Sequence, residues 1–472
     1  MIKDLQGYLD YLSSKSRLAK IKARVSTDYE ITAFTDKENR ERRYDSRTLL
    51  FSDVEGYETR VVTNLFGSLN TFRELFAGTS IPETVMGMMK PHAGKGSLQM
   101  LKGAKLLMNS KPKVTAFGLR GYERLSSLDE LPILKSWPND AGKYITLPIV
   151  VTKGYADGTL NAGTYRMQVF DSMTTGMHWQ AQKGGSLHAY EAMKRGKSLN
   201  VSVAIGTDPY NIICSATPLP EGVNEFAFAG MARGSSTQLS KNGEYPPVPA
   251  NSEIILNGYV DPEEKRLEGP FGDHTGYYSI PEPANVFHID EIYAKKNAIY
   301  AASVVGHPWH EDAVIGLFMM EYLKPMITMV NESILDIYLP PEGLFTHMCF
   351  VKVKKRFAGE AKKAMFTVLG LGQLSFIKIV VAFDEDIDIR DYGRVIWALS
   401  SRVDPERDIE IVKGAPTDTL DHTAKSAAYG SKVLIDATKK TKEEGFPREW
   451  PETISLPKGI VDAVDRKWKE VR

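Results

Sequence analysis

The sequence lacks the features of a secreted or nucleic-acid-binding protein. Its 472 residues include only two cysteines, Cys214 and Cys349, which lie far apart inside apolar stretches. This usage excludes a disulfide framework and a cysteine-rich metal site, and it predicts two buried thiols in a reducing compartment. Lysine plus arginine and aspartate plus glutamate number 59 each, so no basic field favours a nucleic-acid partner.

Long apolar runs are also missing. No uninterrupted apolar stretch is long enough to span a bilayer, and the N-terminus begins with an amphipathic pattern rather than a signal peptide. We therefore expect a cytoplasmic protein without a membrane span. A chain of 472 residues is too long for one simple core, which predicts two or three domains.

The pattern of helix-like and strand-like segments changes along the chain, and it predicts an α+β multidomain fold. Residues 1–110 have the pattern of a mixed α/β domain. Residues 111–317 contain many short strand-like segments separated by turns, which predicts a barrel or strongly curved sheet. An amphipathic linker helix is expected over residues 318–342, followed by a small α/β domain over residues 343–440. Residues 441–472 form a tail whose helix is expected to contact a neighbouring subunit.

The central region contains a turn that carries two acids. Glu268 and Asp273 are separated by a segment that includes Gly269, Pro270 and Gly272, so the backbone must turn sharply here. A tight turn can direct both carboxylates to one point, where two acids titrate apart. The alternative is a surface turn whose acids are solvated.

An arginine lies in a predicted strand of the same region. The segment Thr164–Phe170 is strand-like, and alternation would place Tyr165 on one face with Thr164 and Arg166 on the other. An arginine inside a β-rich core needs a partner, which either acid of the turn would supply. The alternative is that Arg166 faces solvent. Residues Asn211–Cys214 are also strand-like in this pattern.

A glycine-rich loop precedes a predicted helix. Lys183 is followed by Gly184, Gly185 and Ser186, and the helical spacing begins directly afterwards. A cation, backbone N–H groups and a helix N-terminus together can bind a phosphate group. An ordinary helix cap is the alternative explanation.

Five motifs then occur in one order along nearly the whole chain: Asn161–Arg166, Pro218–Glu225, Glu268–Asp273, Tyr338–Gly343 and Gly430–Thr438. Together they resemble the UbiD family of decarboxylases. They are most similar to the motifs of the 4-hydroxy-3-polyprenylbenzoate decarboxylase branch of ubiquinone synthesis.

The resemblance implies a split β-barrel domain that binds prenylated FMN, with a divalent metal (Mn²⁺ or Mg²⁺) and K⁺. It implies Asn161 and Glu225 as metal ligands, and oxygen ligands suit these hard cations. Some relatives use a histidine as a third ligand, and Lys183 aligns there, with His178 nearby, so the number of protein ligands stays open. The implied cofactor residues are Thr164, Tyr165, Arg166, His178, Trp179, Gln180, Lys183, Gly184 and Lys432.

The resemblance also implies the catalytic set Arg166, Glu268 and Asp273. Arg166 would hold Glu268 ionised. Asp273 would be protonated near neutral pH through burial beside Glu268, and it would act as the proton donor.

The implied function is non-oxidative, reversible decarboxylation of an aromatic acid, with 4-hydroxy-3-polyprenylbenzoate as the first candidate. The alternatives are a decarboxylase or carboxylase of another aromatic or heteroaromatic acid, and a flavin-binding protein without this activity. Implied partners are a prenyl-FMN synthase and further copies of the chain, as a homodimer or homohexamer. A lipid substrate would require peripheral membrane contact, and the methionine-rich segment Phe318–Met329 would either line a prenyl channel or pack a helix.

Overall fold

The computed structural model describes residues 2–77, 81–82, 96–116, 121–179, 184–217, 219, 223–469 and 471. It has mixed helices and sheets, so the predicted α+β class is confirmed. The helices of these ranges are α1 (Leu5–Ser14), α2 (Glu30–Arg42), α3 (Leu69–Phe76), α4 (Gly96–Asn109), α5 (Gly184–Lys194), α6 (Pro209–Ala216), α7 (Glu225–Arg233), α8 (Glu311–Val330), α9 (Glu360–Leu369), α10 (Tyr392–Arg402), α11 (Pro405–Asp408) and α12 (Lys458–Trp468).

The strands form four sheets among the described residues. They are β1 (Leu18–Val25), β2 (Thr48–Val54), β3 (Arg60–Thr63), β4 (Lys113–Thr115), β5 (Tyr122–Leu125), β6 (Tyr144–Ile145), β7 (Pro148–Lys153), β8 (Leu160–Gly163), β9 (Met167–Asp171), β10 (Thr174–Met177), β11 (Leu199–Ile205), β12 (Gln238–Asn242), β13 (Tyr245–Pro249), β14 (Ile254–Glu268), β15 (Glu282–Lys295), β16 (Ile299–Ala302), β17 (Ile334–Tyr338), β18 (Met348–Val353), β19 (Ile379–Asp384), β20 (Ile409–Pro416) and β21 (Tyr429–Ala437).

The N-terminal sheet has the order β1-β2-β3-β16. Its last strand, β16, pairs parallel with β3 and comes from residues far beyond the predicted 1–110 segment. Helix α1 buries Leu5, Tyr8, Leu9 and Leu12, the stripe expected of an amphipathic helix against a sheet. The N-terminal and central regions therefore share one hydrophobic core.

The central sheet has the order β6-β9-β10-β15-β14-β11-β7-β8, with β5 also paired to β15. Its longest pair is antiparallel β14 and β15. Strand β14 ends at Glu268 and β15 begins at Glu282, so the acid-bearing turn projects from one end of this pair. Cys214 and Cys349 are both buried and free, as predicted.

One strand prediction in this region is wrong, and a second, Thr164–Phe170, is confirmed only from Met167 onward. Asn211–Cys214 lies in α6, because the Asp208 side chain caps the helix by accepting from Tyr210 N (3.1 Å) and Pro209 occupies the first turn. These start signals outweigh the β-branched isoleucines. Residues 164–166 lie between β8 and β9, and Thr164 N donates to the Ser215 carbonyl (3.1 Å) instead of to a strand. The alternation argument for their side chains therefore does not apply.

The linker helix predicted over residues 318–342 is also placed differently. Helix α8 begins at Glu311 and ends at Val330, and Ile334–Tyr338 form strand β17. The Asn331 side chain accepts from Ser333 N (3.1 Å), which replaces helical pairing after the last turn. By length and apolar composition α8 is the one helix of the described residues that could cross a membrane. Phe318 packs in the large core and Ile327 in the C-terminal core, as in a helix that joins two domains.

The C-terminal sheet has the order β17-β18-β19-β21-β20, with β18, β19 and β21 parallel. It carries two hydrophobic clusters of its own. The tail forms α12, with Ile460, Val461, Val464 and Trp468 exposed by 54%, 40%, 48% and 62%. These side chains form one apolar face of α12 that is exposed to solvent in the single chain.

Candidate active site

A buried arginine joins the two acids of the turn. Arg166 donates from Nε and Nη2 to the two oxygens of Glu268, each at 3.0 Å, and from Nη1 to Asp273 Oδ2. The side chain of Glu268 is fully buried, and that of Arg166 is 10% exposed. Two parallel bonds of this kind fix both the orientation and the charge of the carboxylate. The structure thus brings together the three residues that the resemblance assigns to catalysis.

The turn that carries Asp273 is held by backbone and side-chain bonds. Asp273 N donates to the Tyr277 carbonyl (3.1 Å), and Ser279 N donates to the Phe271 carbonyl (2.8 Å). Gly269 has a φ of +98°, a conformation that favours glycine, and the Gly269–Pro270 peptide is cis. The N–H of Gly269 donates to Gln168 Oε1 (2.8 Å), and this bond connects the turn to β9.

Further side chains surround the arginine. His178 Nδ1 lies 3.1 Å from Glu268 Oε2, and Ser279 Oγ accepts from Arg166 Nη2 (3.3 Å). The Phe271 ring lies 4.8 Å from the guanidinium carbon and covers its face. Burial raises the pKa of Glu268, but His178 and Arg166 outweigh it and hold that pKa below its usual range. Glu268 is therefore a carboxylate at neutral pH.

The prediction that Asp273 is protonated near neutral pH is wrong for this arrangement. Burial raises its pKa, but hydrogen bonding and charge from His274, together with the charge of Arg166, lower it well below the usual range. Oδ1 accepts from His274 N at 2.7 Å and lies 3.0 Å from His274 Nδ1. Asp273 is thus a carboxylate between two cationic partners.

His274 is a site residue that the sequence reasoning missed. Burial lowers its pKa, but Asp273, Asp312 and Asp418 outweigh burial and raise it to about 9. The signal was present in the sequence, because a histidine directly follows the acid in a tight turn. Nothing in that adjacency fixes whether its ring points toward the acid or away from it.

The two implied metal ligands lie on segments that are bonded to each other. Glu225 opens α7, and its Oε2 accepts from the N–H of Ala162, the residue after Asn161 (3.0 Å). Asn224 Nδ2 donates to the Leu160 carbonyl (2.9 Å), which binds the helix start to β8. In the part of the chain that the structure describes, no group of three or more His, Cys, Asp or Glu side chains could hold a metal. One carboxylate and one amide oxygen therefore form the candidate pair, with further ligands needed.

Two glycines let the N-terminus of α5 pack closely against residues implied for the metal and the cofactor. A Cβ on Gly184 would lie 2.1 Å from Asn161 Oδ1, and one on Gly185 would lie 2.7 Å from Trp179 Nε1. That Trp179 nitrogen is buried and has no hydrogen-bond acceptor within the described ranges. A buried donor without an acceptor costs about 1–3 kcal/mol, so a bound group that accepts this hydrogen bond would stabilise the site.

Four other predicted cofactor residues form two pairs, of which the structure describes one. Thr164 and Tyr165 lie beside Asn161, with Thr164 Oγ1 3.0 Å from Ser215 Oγ and Asn161 Nδ2 3.4 Å from the Tyr165 hydroxyl. Gln180 and Lys183 lie outside the described residues. The oxygen ligands and the unpaired indole N–H fit a metal and a cofactor that accepts a hydrogen bond.

Lys432 does not join this group. Its Nζ donates to the carbonyls of Ser375 (2.7 Å), Ile377 (2.7 Å) and Pro416 (2.6 Å), which uses all three of its hydrogens. Burial lowers its pKa to about 8. The prediction that Lys432 reaches a cofactor phosphate is therefore wrong here, because this ammonium ties together segments of the C-terminal domain.

Family comparison agrees with the geometry. The N-terminal, Rift-related and C-terminal domain profiles of the 3-octaprenyl-4-hydroxybenzoate carboxy-lyases match residues 9–89, 112–308 and 313–437. The chain belongs to this carboxy-lyase family, UbiD. The predicted resemblance is confirmed. Two similar relatives of unassigned function come from Archaeoglobus fulgidus, at 42% identity over 100% of this chain and 98% of that one, and Aquifex aeolicus, at 38% over 99% and 98%.

Solved UbiD-class structures share the fold. Vanillic acid decarboxylase of Sedimentibacter hydroxybenzoicus in its closed form is 26% identical, with a TM-score of 0.84 over 100% of this chain and 99% of that one. The UbiD-class enzyme HmfF of Pelotomaculum thermopropionicum in complex with FMN is 26% identical, with a TM-score of 0.80 over 98% and 99%. These UbiD members thus share one architecture along their whole length.

Proposed function

We propose that the protein is a carboxy-lyase that removes the carboxylate of an aromatic acid with the help of prenylated FMN. The observation that carries this proposal is the buried Arg166, bonded to both Glu268 and Asp273. A buried pair of acids on one arginine is costly to assemble, and structural stability alone does not favour it. UbiD membership and the flavin-bound relatives support the same chemistry.

The cofactor and metal would lie between β8, α5 and α7. Asn161 and Glu225 would hold Mn²⁺ or Mg²⁺, and Trp179 Nε1 would donate to the cofactor. Thr164, Tyr165, His178 and Gly184 would line it, with K⁺ as a further cation. The prenylated flavin supplies an electron sink for the electrons that remain when CO₂ leaves.

The protein's own groups would position the acid and supply a proton. Arg166 and Glu268 form a fixed charged pair that would lie beside the reacting carbon. Asp273 would deliver one proton to the carbon that loses CO₂, a step typically worth about 10²–10⁴-fold in rate. Because Asp273 is a carboxylate in the resting structure, it must first receive that proton.

A 4-hydroxybenzoate is the substrate class we propose. The para hydroxyl pushes electron density onto the ring carbon that bears the carboxylate, which eases its loss. The family description supports 4-hydroxy-3-polyprenylbenzoate and a role in ubiquinone synthesis, whereas the vanillic acid decarboxylase supports a small 3-substituted member. Phe318 stacks on Phe72 (4.7 Å between ring centroids) and Met319 is 4% exposed, so these two residues pack the core rather than line a prenyl channel.

We further propose a cytoplasmic enzyme that obtains its cofactor from a prenyl-FMN synthase. The exposed apolar face of α12 supports a homodimer or homohexamer. A polyprenyl substrate would require transient contact with a membrane surface, whereas a small acid would not.

A CO₂-release screen tests the proposal. The protein is produced together with a prenyl-FMN synthase and given 4-hydroxybenzoate, its 3-methoxy and 3-prenyl derivatives of increasing length, and heteroaromatic acids. Preference for longer prenyl chains selects the ubiquinone-type substrate, and turnover of small acids alone selects the second candidate. The reverse reaction is measured under high CO₂. A flavin-loaded protein that releases no CO₂ from any acid would contradict the decarboxylase function and leave a flavin-binding role.

A further inference from the structure

His274 connects the proton donor of the proposed reaction to a second set of titratable groups. Its ring Nδ1 lies 3.0 Å from Asp273 Oδ1, on the side of that carboxylate not bound by Arg166. The side chain is 14% exposed. A histidine so placed can pass a proton to the acid directly.

The other edge of the ring faces residues of the C-terminal part of the chain. Nε2 lies 3.4 Å from Thr346 Oγ1 and 4.0 Å from Asp418 Oδ2. The Phe345 ring packs against the imidazole, with ring centroids 5.3 Å apart. His274 therefore lies between a catalytic carboxylate of the central domain and an acid of the C-terminal domain.

Further charged groups complete these surroundings. Asp312 of α8 is half-buried and interacts electrostatically with both His274 and Asp273. His347 approaches the same oxygen of Asp418, with its Nε2 4.0 Å from Oδ2 and without a hydrogen-bond partner among the described residues. The acids facing His274 outnumber the cations, which favours a protonated imidazole.

We propose that His274 is the proton reservoir of the reaction and acts through Asp273, which alone touches the substrate. This inference rests on the proposed decarboxylase function. The Asp273 carboxylate is held by Arg166 and His274 and carries no proton of its own in the resting enzyme. His274, with one nitrogen toward Asp273 and the other toward Thr346 and Asp418, is placed to load it.

The step consumes one proton from solvent per turnover. The anionic substrate beside Asp273 raises the pKa of that carboxyl. The Nδ1–H bond of His274 then breaks and its proton forms an O–H bond on Asp273, which leaves a neutral imidazole. Asp273 then gives a proton to the ring carbon as the bond to the departing CO₂ is replaced, and it returns to a carboxylate. A proton from solvent then binds Nδ1, the nitrogen that lost it, and restores the imidazolium, while Nε2 keeps its hydrogen toward Thr346 and Asp418.

A purely structural role for His274 would have different consequences. The ring could act only as a hydrogen-bond donor that orients Asp273, and a side-chain amide would do the same. His274→Asn places an amide N–H near the position of Nδ1 but carries no transferable proton at neutral pH. The variant therefore separates orientation from proton supply.

The test uses the prenyl-FMN-loaded enzyme with an acid that the wild type decarboxylates, between pH 6 and pH 10. We expect His274→Asn to retain its flavin and its KM and to lose at least about 100-fold in kcat at neutral pH. The wild-type kcat should fall as pH rises through about 9, where His274 loses its proton. His288→Asn, which disrupts another histidine–carboxylate pair (His288 Nε2 to Glu264 Oε2, 2.6 Å), is the control and should keep the wild-type kcat and pH profile.

A second variant covers the case in which His274→Asn loses its flavin. Asp418→Asn removes an anion beside Nε2 without touching Asp273, so the alkaline limb of kcat should move to lower pH. The proposal is overturned if the alkaline fall of kcat lies at the same pH in Asp418→Asn as in the wild type. It is also overturned if His274→Asn keeps a kcat within about threefold of the wild type. The decarboxylase function stands in both cases. A wild type inactive toward every acid would instead overturn the decarboxylase function and this proposal with it.

Discussion

Arg166 and Glu268 are joined by two parallel N–H···O bonds of 3.0 Å, and the carboxylate is fully buried. On the surface, Arg73 and Glu321 form the same two-bond arrangement at 3.0 Å and 2.8 Å. One pair lies at the candidate site and the other joins α3 to α8 in solvent. The same two-bond arginine–carboxylate geometry therefore occurs once in a buried site and once at the solvent-exposed surface.

Removal of the buried arginine should be far more destabilising than removal of the exposed one. Arg166→Ala leaves the buried Glu268 carboxylate without its guanidinium partner and with only His178 beside it, so we expect a loss of about 3–5 kcal/mol in the free energy of unfolding and no activity. Arg73→Ala, the matched control, should cost at most about 1 kcal/mol and leave turnover unchanged. Urea unfolding and CO₂ release measure both. Equal losses in the two variants would contradict the assignment of a special charged pair at Arg166.

Asp273→Asn should reduce turnover by about 10²–10⁴-fold with the flavin retained, because the amide cannot deliver the proton. The amide keeps the size of the side chain, so substrate affinity should change little. Steady-state CO₂ release and the flavin absorption spectrum provide the two measurements. Near-normal turnover in a flavin-loaded Asp273→Asn enzyme would exclude Asp273 as the donor.

Glu225→Gln should empty the candidate metal site without disturbing its backbone. The amide oxygen can still accept from Ala162 N, a bond of 3.0 Å in the wild type, but the negative charge for the cation is lost. We expect metal and flavin content to fall together, measured by elemental analysis and absorbance. If the variant purifies with a full complement of both, Glu225 is not a ligand.

Glu311 should make the protein less stable as pH rises. Burial raises the pKa of this carboxyl to about 7, above its value in the unfolded chain, so the folded state holds a proton that the unfolded chain has released. Stability is therefore expected to fall by up to about 3 kcal/mol as pH rises from about 4.5 to 7, and to remain lower above pH 7.

Glu311→Gln should remove that slope and raise the stability at pH 8, since the amide carries no charge. Exposed Glu58→Gln is the control and should leave the slope intact. Urea unfolding at several pH values gives the comparison. A slope that persists in Glu311→Gln would assign the pH dependence to other groups.

The apolar face of α12 predicts self-association. Val464→Asp places a charge in that face and should shift the particle toward the monomer. Lys467→Asp changes the charge of the same helix outside the apolar set and should leave the assembly intact. Light scattering at micromolar concentration distinguishes the two variants. A monomeric wild type would exclude this interface.

Local composition predicted the acid-bearing turn, and the family resemblance assigned Arg166 as the partner of its two acids. Gly269 and Pro270 force a turn wherever they occur, and a buried arginine requires a carboxylate. The strand-rich central region and the tail helix follow likewise from short-range pattern. The assignment of Asn211–Cys214 to a strand failed because the capping signals at Asp208 and Pro209 outweigh the intrinsic preference of isoleucine.

Only the tertiary structure decided the charges of the site and the position of Lys432. The pKa of Asp273 depends on which groups surround it in space, and His274 is held beside it by residues from the C-terminal part of the chain. Lys432 is directed to three carbonyls of its own domain, a choice made by long-range packing. The sequence therefore determined which reactive groups the site contains, and the fold determined their protonation, because electrostatic energies depend on distance and burial rather than on order along the chain.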